Sequence, residues 1–172
     1  MNSLKNSSKK VRGIVFASVI AAIYVVLTIS LSFMSFGVVQ YRVAEGLTVL
    51  PFLTSYAIPG LTIGCLISNI ISPVGTVDMI LGTFATLIAA IATYYIGKTN
   101  LKYKKLLAPL PAVISNAIII GLMLKYLYVP DMPLWLISLE VAWGEILCCY
   151  GLGLPLLAVF QKNPVLKKFI GK

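Results

Sequence analysis

The chain has no histidine, and only 5 of its 172 residues are acidic. Without imidazole, Ser-His-Asp triads, His-based general-base catalysis and the common His-containing zinc sites are excluded. Charged residues of both signs make up 11% of the sequence, far below the roughly 25% of a soluble domain. The 3 cysteines, Cys65, Cys148 and Cys149, all lie in apolar runs. An odd count with two adjacent does not describe a disulfide framework, so small apolar packing roles are expected for them. Gly97-Lys98-Thr99 resembles the end of a phosphate-binding loop, but Ala92 stands where the first glycine is required. The chain therefore lacks an ATPase site of its own.

What is abundant is apolar sequence. Hydrophobic residues make up 59% of the chain and the mean hydropathy is +0.97, which excludes both disorder and an ordinary globular surface. The formal net charge of +9 would suggest nucleic acid in a soluble protein. In a hydrophobic chain the same excess marks loops retained in the cytoplasm. The fold class is therefore an all-α integral membrane protein, with the lipid bilayer as its surroundings and no nucleic-acid partner.

Residues 1–13 read as a basic cytoplasmic tail and 161–172 as a second, flanking a membrane domain over 14–160. The apolar run from Ile14 to about Phe33 is long for a signal peptide and is expected to be a retained span. Three further spans are expected near Asp78–Gly97, Leu106–Tyr128 and Leu134–Phe160. Between them, Val43 to Ser72 is interrupted by Pro51 and Pro59-Gly60, so one regular helix is excluded. Lys5, Lys9, Lys10 and Arg12 form one basic patch, Lys98, Lys102, Lys104 and Lys105 a second, and Lys162, Lys167, Lys168 and Lys172 a third. Placing all three inside requires an even number of crossings between the first two. Two short crossings over 43–72 satisfy this, giving six spans with both termini cytoplasmic; a re-entrant segment is the alternative.

Such interrupted segments point to a solute site, because irregular backbone at membrane depth must line a cavity or be covered by protein. In this topology Gln40, Arg42, Glu45, Asn69, Asp78, Asp131 and Glu140 fall in the outer half. At ~1.5 Å per residue, Glu145 and Asn116 reach ~15–16 Å and form the floor of an outward-facing pocket. A mid-membrane carboxylate is costly enough to need a partner or a task. Glu140 and Glu145 lie ~140° apart on a helix and cannot both face one ligand. Asp78 suits a first helical turn, and Arg42 is expected to pair with Glu45 at the membrane surface. Trp143, Tyr41 and Tyr150 are candidates to stack on a planar ligand, although interfacial packing also suits them. Ala17 and Ala21, with Ser18 and Ala22, form a strip of small residues on the first span that permits close helix approach.

The run Gln40-Tyr41-Arg42-Val43-Ala44-Glu45-Gly46-Leu47-Thr48-Val49-Leu50-Pro51, followed by Pro59-Gly60-Leu61 and Gly64-Cys65-Leu66-Ile67-Ser68-Asn69, resembles the QueT family. Asp78 with Gly82-Thr83-Phe84-Ala85-Thr86-Leu87, and Glu140-Val141-Ala142-Trp143-Gly144-Glu145, extend the resemblance to Leu154. It implies the substrate-binding S-component of an energy-coupling factor (ECF) importer in a bacterial cytoplasmic membrane. Such a subunit is not an enzyme and binds no cofactor. It would dock on a transmembrane coupling protein and two cytoplasmic ATPases that use ATP, with Ala17 and Ala21 facing the coupling protein. The implied solute is a queuosine precursor, a 7-deazaguanine, although similar S-components carry cobalamin. From the residues alone, a self-sufficient secondary transporter stays open as the alternative of another class. A continuous polar path through both leaflets would favour it, and the apolar inner half argues against it.

Overall fold

A computed structural model describes residues 2–35, 41–72 and 75–163. Gln40 and the C-terminal segment with Lys167, Lys168 and Lys172 lie outside the described residues. Every element among those described is helical. Helix α1 (Asn2–Ser30) is followed by the single turn α2 (Ser32–Ser35), a 3₁₀ helix (Val43–Phe52), α3 (Ala57–Asn69) and α4 (Thr76–Lys98). Then come the short α5 (Lys104–Leu107), α6 (Leu110–Leu127), α7 (Leu134–Gly151) and α8 (Gly153–Lys162). Four stretches are long and apolar enough to cross a membrane: Lys10–Ser30, Thr76–Lys98, Lys104–Leu127 and Leu134–Lys162. Val15, Val19, Ile80, Phe84, Ile114, Ile118, Leu139 and Trp143 are exposed on the outside of the bundle. A surface this apolar suits lipid rather than water.

The proline-broken stretch resolves into the 3₁₀ helix and α3. A 3₁₀ helix rises ~2.0 Å per residue rather than 1.5 Å, so its ten residues extend ~20 Å, about as far as thirteen residues of α-helix. Its threefold repeat also sorts its side chains into three rows. Ala44, Leu47 and Leu50 pack with Ile20 and Tyr24 of α1 and with Leu61 and Cys65 of α3. Gly46, Val49 and Phe52 form a second row, in which Gly46 lies against Leu152 and Val49 against Gly153, while Phe52 joins Val49, Ala108 and Leu157. Arg42, Glu45 and Thr48 form the third row, and it is polar. Nearly every residue of this helix is buried, as expected of an element apolar on most sides.

Helix α1 packs on α3 through small residues. A Cβ added to Gly60 would stand 2.6 Å from the Ala17 carbonyl oxygen, and one added to Gly64 would stand 3.1 Å from the Ala21 Cα. The Ala17–Ala21 strip is therefore in part an internal contact. Both alanines are half-buried, whereas Ser18 and Ala22 are exposed. They line an apolar groove of about 670 Å³ between α1 and α3 with Ile14, Val25, Pro59 and Ile63.

The expected last span is not one helix. It divides at Leu152 into α7 and α8, where Gly153 lets the chain come against Gly46 and Val49. At one end of the bundle Gly13 lies against Tyr56, Gly97 against Phe52, and the Phe16 and Phe160 rings meet edge to face at 6.3 Å. That end gathers the chain beside Arg12, the Lys98–Lys105 connection and Lys162. Lys104 there donates to the carbonyls of Gly97 and Thr99 at 3.3 and 2.9 Å.

Candidate solute-binding site

The polar residues converge in the bundle interior. Glu45 and Asp78 are fully buried, and Arg42, Asn69, Asn116 and Glu145 are each at most 3% exposed. Contributions come from α1, the 3₁₀ helix, α3, α4, α6 and α7, so the cluster exists only when the whole bundle is assembled.

Toward the end opposite the basic connection, Gly75 caps α4 with a φ of 78°, a conformation that favours glycine. This sets Asp78 in the first turn, where the helix dipole favours an acid. Asp78 Oδ2 accepts a hydrogen bond from Ser72 Oγ at 2.6 Å and lies 3.7 Å from the Arg42 guanidinium. Asn69 donates to the Asp78 main-chain carbonyl at 3.2 Å. Gly82, one turn on, leaves room for the Asn69 amide, since a Cβ there would fall 2.6 Å from its nitrogen.

Deeper in, Glu45 Oε1 accepts from Tyr24 Oη at 2.5 Å and from Thr86 Oγ1 at 3.3 Å. Asn116 Nδ2 donates to Glu145 Oε1 at 2.9 Å, joining the two residues that the depth count places at the floor. Cys149 Sγ donates to Glu145 Oε2 at 3.2 Å and approaches the Glu45 main-chain oxygen at 3.5 Å. Thr48 Oγ1 donates to that same carbonyl at 2.5 Å. Cys149 thus links the Glu145 carboxylate to the main chain of Glu45.

Several expectations change. Arg42 pairs with Asp78 rather than with Glu45, and the 3₁₀ helix buries Glu45 against Tyr24. Cys65 and Cys149 are more than apolar packing. Cys65 Sγ accepts from Asn69 at 3.4 Å and lies 3.3 Å from Thr86 Oγ1, whose one proton goes either here or to Glu45, and Cys149 lies between the Glu145 carboxylate and the Glu45 main chain. Glu140 is only half-buried on another face of α7, as its ~140° offset from Glu145 requires. Trp143 is 58% exposed on the outside of the bundle, so the structure does not bring it to the cluster. Tyr41 and Tyr150 are half-buried, and Asp131 is exposed in a turn whose carbonyls at Pro130 and Met132 accept from Lys125 Nζ. Tyr24, Thr48, Ser72 and Thr86 join the site without having been singled out in the sequence. The one signal of Tyr24, Thr48 and Thr86 is register, each standing where a helix turns its polar position toward the acids, while Ser72 follows the end of α3.

Buried oxygens remain that accept no hydrogen bond: Glu45 Oε2, Asn69 Oδ1, Asp78 Oδ1 and Asn116 Oδ1. Leaving a buried acceptor unmet costs roughly 1–3 kcal/mol, so each of these four oxygens has room in its chemistry for a donor. Among the described residues, no three His, Cys, Asp or Glu side chains converge to hold a metal ion.

An all-helical membrane bundle with acids and amides directed inward is the architecture of a solute-handling protein. The profile of the QueT transporter family matches residues 14–162, and the chain belongs to that family. It is 42% identical over 81 residues to the "Queuosine precursor transporter QueT" of Lactococcus lactis subsp. cremoris (strain MG1363), a match covering 46% of this chain and 47% of that protein. The chain thus matches about half the length of this relative. No solved structure matches.

Proposed function

We propose that the chain is the substrate-binding subunit of an ECF-type importer in a bacterial cytoplasmic membrane, capturing a queuosine precursor, a 7-deazaguanine, from outside. Six spans, two of them the short 3₁₀ helix and α3, leave both termini in the cytoplasm. Family membership supports the solute class, since the Lactococcus relative is named for queuosine-precursor transport. The basic connection and the start of the chain beside Arg12 gather at one end of the bundle, which agrees with that end being cytoplasmic.

The observation that carries the reading is the buried cluster itself, with acceptor oxygens lacking donors. The edge of a guanine-like ring presents adjacent N–H donors, which a carboxylate and an amide carbonyl receive side by side. Glu145 and Asn116, held together at 2.9 Å, supply that pair at mid-membrane. The Arg42–Asp78–Ser72 group lies toward the outer end. Below the cluster the interior is apolar, with Ala89, Ala112 and Val113 packed together and Val49, Phe52 and Leu157 beneath. That supports a pocket open to one side rather than a continuous polar path, and hence a subunit that relies on partner ATPases and a coupling protein.

Titration of the purified chain in detergent with a 7-deazaguanine and with cobalamin tests the reading. Saturable binding of the deazaguanine alone is expected. Binding of cobalamin alone would reassign the solute, and uptake into vesicles by this chain without ATPase subunits would overturn the importer assignment.

A further inference from the structure

Two grooves on the outside of the bundle differ in make. The α1–α3 groove is lined by Gly13, Ala17, Ser18, Ala21 and Ala22 among others, small residues of the kind that let another helix backbone come close. The second groove, about 450 Å³, runs between α4 and α6. Ile88, Ala92 and Ile96 recur every four residues along α4 and supply one wall. Leu110, Ile114 and Ile118 recur in the same way along α6 and supply the other. Ile88, Ile114 and Ile118 are exposed. Such branched rims hold a helix backbone away and leave a slot suited to a thin, flexible chain. Ser115 is the polar side chain of the lining, and its hydroxyl turns back on the carbonyls of Pro111 and Ala112, at 2.8 and 3.3 Å. The groove therefore offers hydrocarbon contact.

Its length and its end narrow the choice of occupant. From Ile88 to Ile96 the helix rises ~12 Å, and from Leu110 to Ile119 ~14 Å. That is close to the depth of one leaflet, half of the ~30 Å hydrocarbon core. The end formed by Ile96 and Leu110 meets the connection from α4 to α6, which carries Lys98, Lys102, Lys104 and Lys105. No acid occurs between Asp78 and Asp131, so nothing on the connection or on α6 offsets those charges. Lys104 is held by the Gly97 and Thr99 carbonyls, and Lys98 lies over the Tyr94 ring, 4.2 Å from its centroid. Lys102 and Lys105 are exposed. An occupant that matches both parts has one apolar tail as long as a leaflet is deep and one negative charge at the membrane surface.

We propose that the α4–α6 groove is a binding site for an anionic phospholipid, with one acyl chain between the isoleucine walls and the phosphate on Lys102 and Lys105. Lysines at this level extend their stems along apolar surface and keep the ammonium among the headgroups, where each one favours anionic lipid. The groove lies on a different seam from the α1–α3 groove, so a lipid here and a protein partner there do not compete. Because α4 and α6 also carry Thr86 and Asn116, a lipid seated between them braces two of the helices that build the polar cluster.

The full chain, purified in detergent, is titrated with dioleoylphosphatidylglycerol and with dioleoylphosphatidylcholine, and bound lipid is counted by native mass spectrometry. The anionic lipid is expected to bind at least about tenfold tighter, as two lysines at the headgroup imply. Lys102→Gln combined with Lys105→Gln is expected to bring the two lipids within about threefold of each other. Ala92→Trp fills the groove and is expected to weaken phosphatidylglycerol at least about tenfold. Glycerol phosphate, which has the anion without the chain, is expected not to displace the lipid. Equal affinities for the two lipids in the unmodified chain overturn the proposal, as does displacement by glycerol phosphate or an affinity that Ala92→Trp leaves unchanged. If a variant does not fold, a second measurement on the unmodified chain decides. Phosphatidylglycerol carrying a diazirine in its acyl chain, photolysed in phosphatidylcholine vesicles, is expected to label residues 88–96 and 110–119. Labels spread evenly over the lipid-facing helices, or walls left unlabelled in a dimer of the chain, overturn the proposal.

Discussion

At the scale of single residues, the cluster is selective about which side chains it can lose. Glu145 Oε1 holds Asn116 in orientation, so Glu145→Gln exchanges a carboxylate acceptor for an amide and disturbs the partner that fixes Asn116. Its affinity for the preferred deazaguanine should fall at least about tenfold, since hydrogen bonds to charged groups are worth ~1.5–3 kcal/mol. Calorimetry on the purified variant checks this, and unchanged affinity would remove Glu145 from the site. Gly82 makes a separate prediction about stability. An alanine Cβ there meets the Asn69 amide at 2.6 Å and Asp78 Oδ1 at 3.1 Å, and forcing such contacts apart costs typically 1–3 kcal/mol. Gly82→Ala should lower the melting temperature in detergent, whereas Gly151→Ala, with nothing within 4 Å of its added Cβ, should not. The acids themselves were legible in the sequence, because a carboxylate inside an apolar run announces itself by its cost. Their partners were not. Arg42 is three residues from Glu45 and was expected to pair with it. Choosing Asp78 instead depends on how α4 is set against the 3₁₀ helix, which no local pattern encodes.

At the scale of elements, Pro51 and Pro59-Gly60 announced that residues 43–72 do not form one helix, and two short elements are what forms. The hydrogen-bond register was hidden. A short apolar run suits 3₁₀ and α helices equally, and only burial on all sides, with three neighbours each demanding a row of side chains, makes the threefold repeat the better fit. The division at Leu152 was hidden for the same reason: Gly153 beside it serves contacts to Gly46 and Val49, a hundred residues away in sequence. The α1–α3 contact is the element-level feature most open to test. Gly60 meets the Ala17 backbone, which cannot swing aside as a side chain tip can. Gly60→Val should therefore separate the two helices, lowering thermal stability by roughly 1–3 kcal/mol and weakening solute binding through displacement of Tyr24 from Glu45. A melting curve and a binding isotherm on the same preparation check both effects, and normal stability would mean that α1 and α3 do not pack this closely.

At the scale of the whole molecule, the small-residue strip serves two surfaces at once. Ala17 and Ala21 hold α3 through Gly60 and Gly64, while Ser18 and Ala22, one position further around α1, open onto the groove with Ile14, Val25 and Pro59. Enlarging Ala17 or Ala21 would therefore disturb the internal packing along with any external contact, and a loss of uptake could not be traced to docking. Ser18 and Ala22 separate the two. Both are exposed, so bulky side chains there fill the groove without entering the α1–α3 contact. In the importer assignment that groove receives the coupling protein, whose helices need the same close approach that small residues permit. The double substitution Ser18→Leu with Ala22→Leu should leave deazaguanine affinity within about threefold of the unmodified chain, an effect below 1 kcal/mol. ATP-dependent uptake by vesicles containing the complete transporter should fall by at least about tenfold, because the loaded subunit no longer seats on its partner. Undiminished uptake would move the docking surface away from this groove, and a parallel loss of binding would mean that the strip acts on the solute site through the fold.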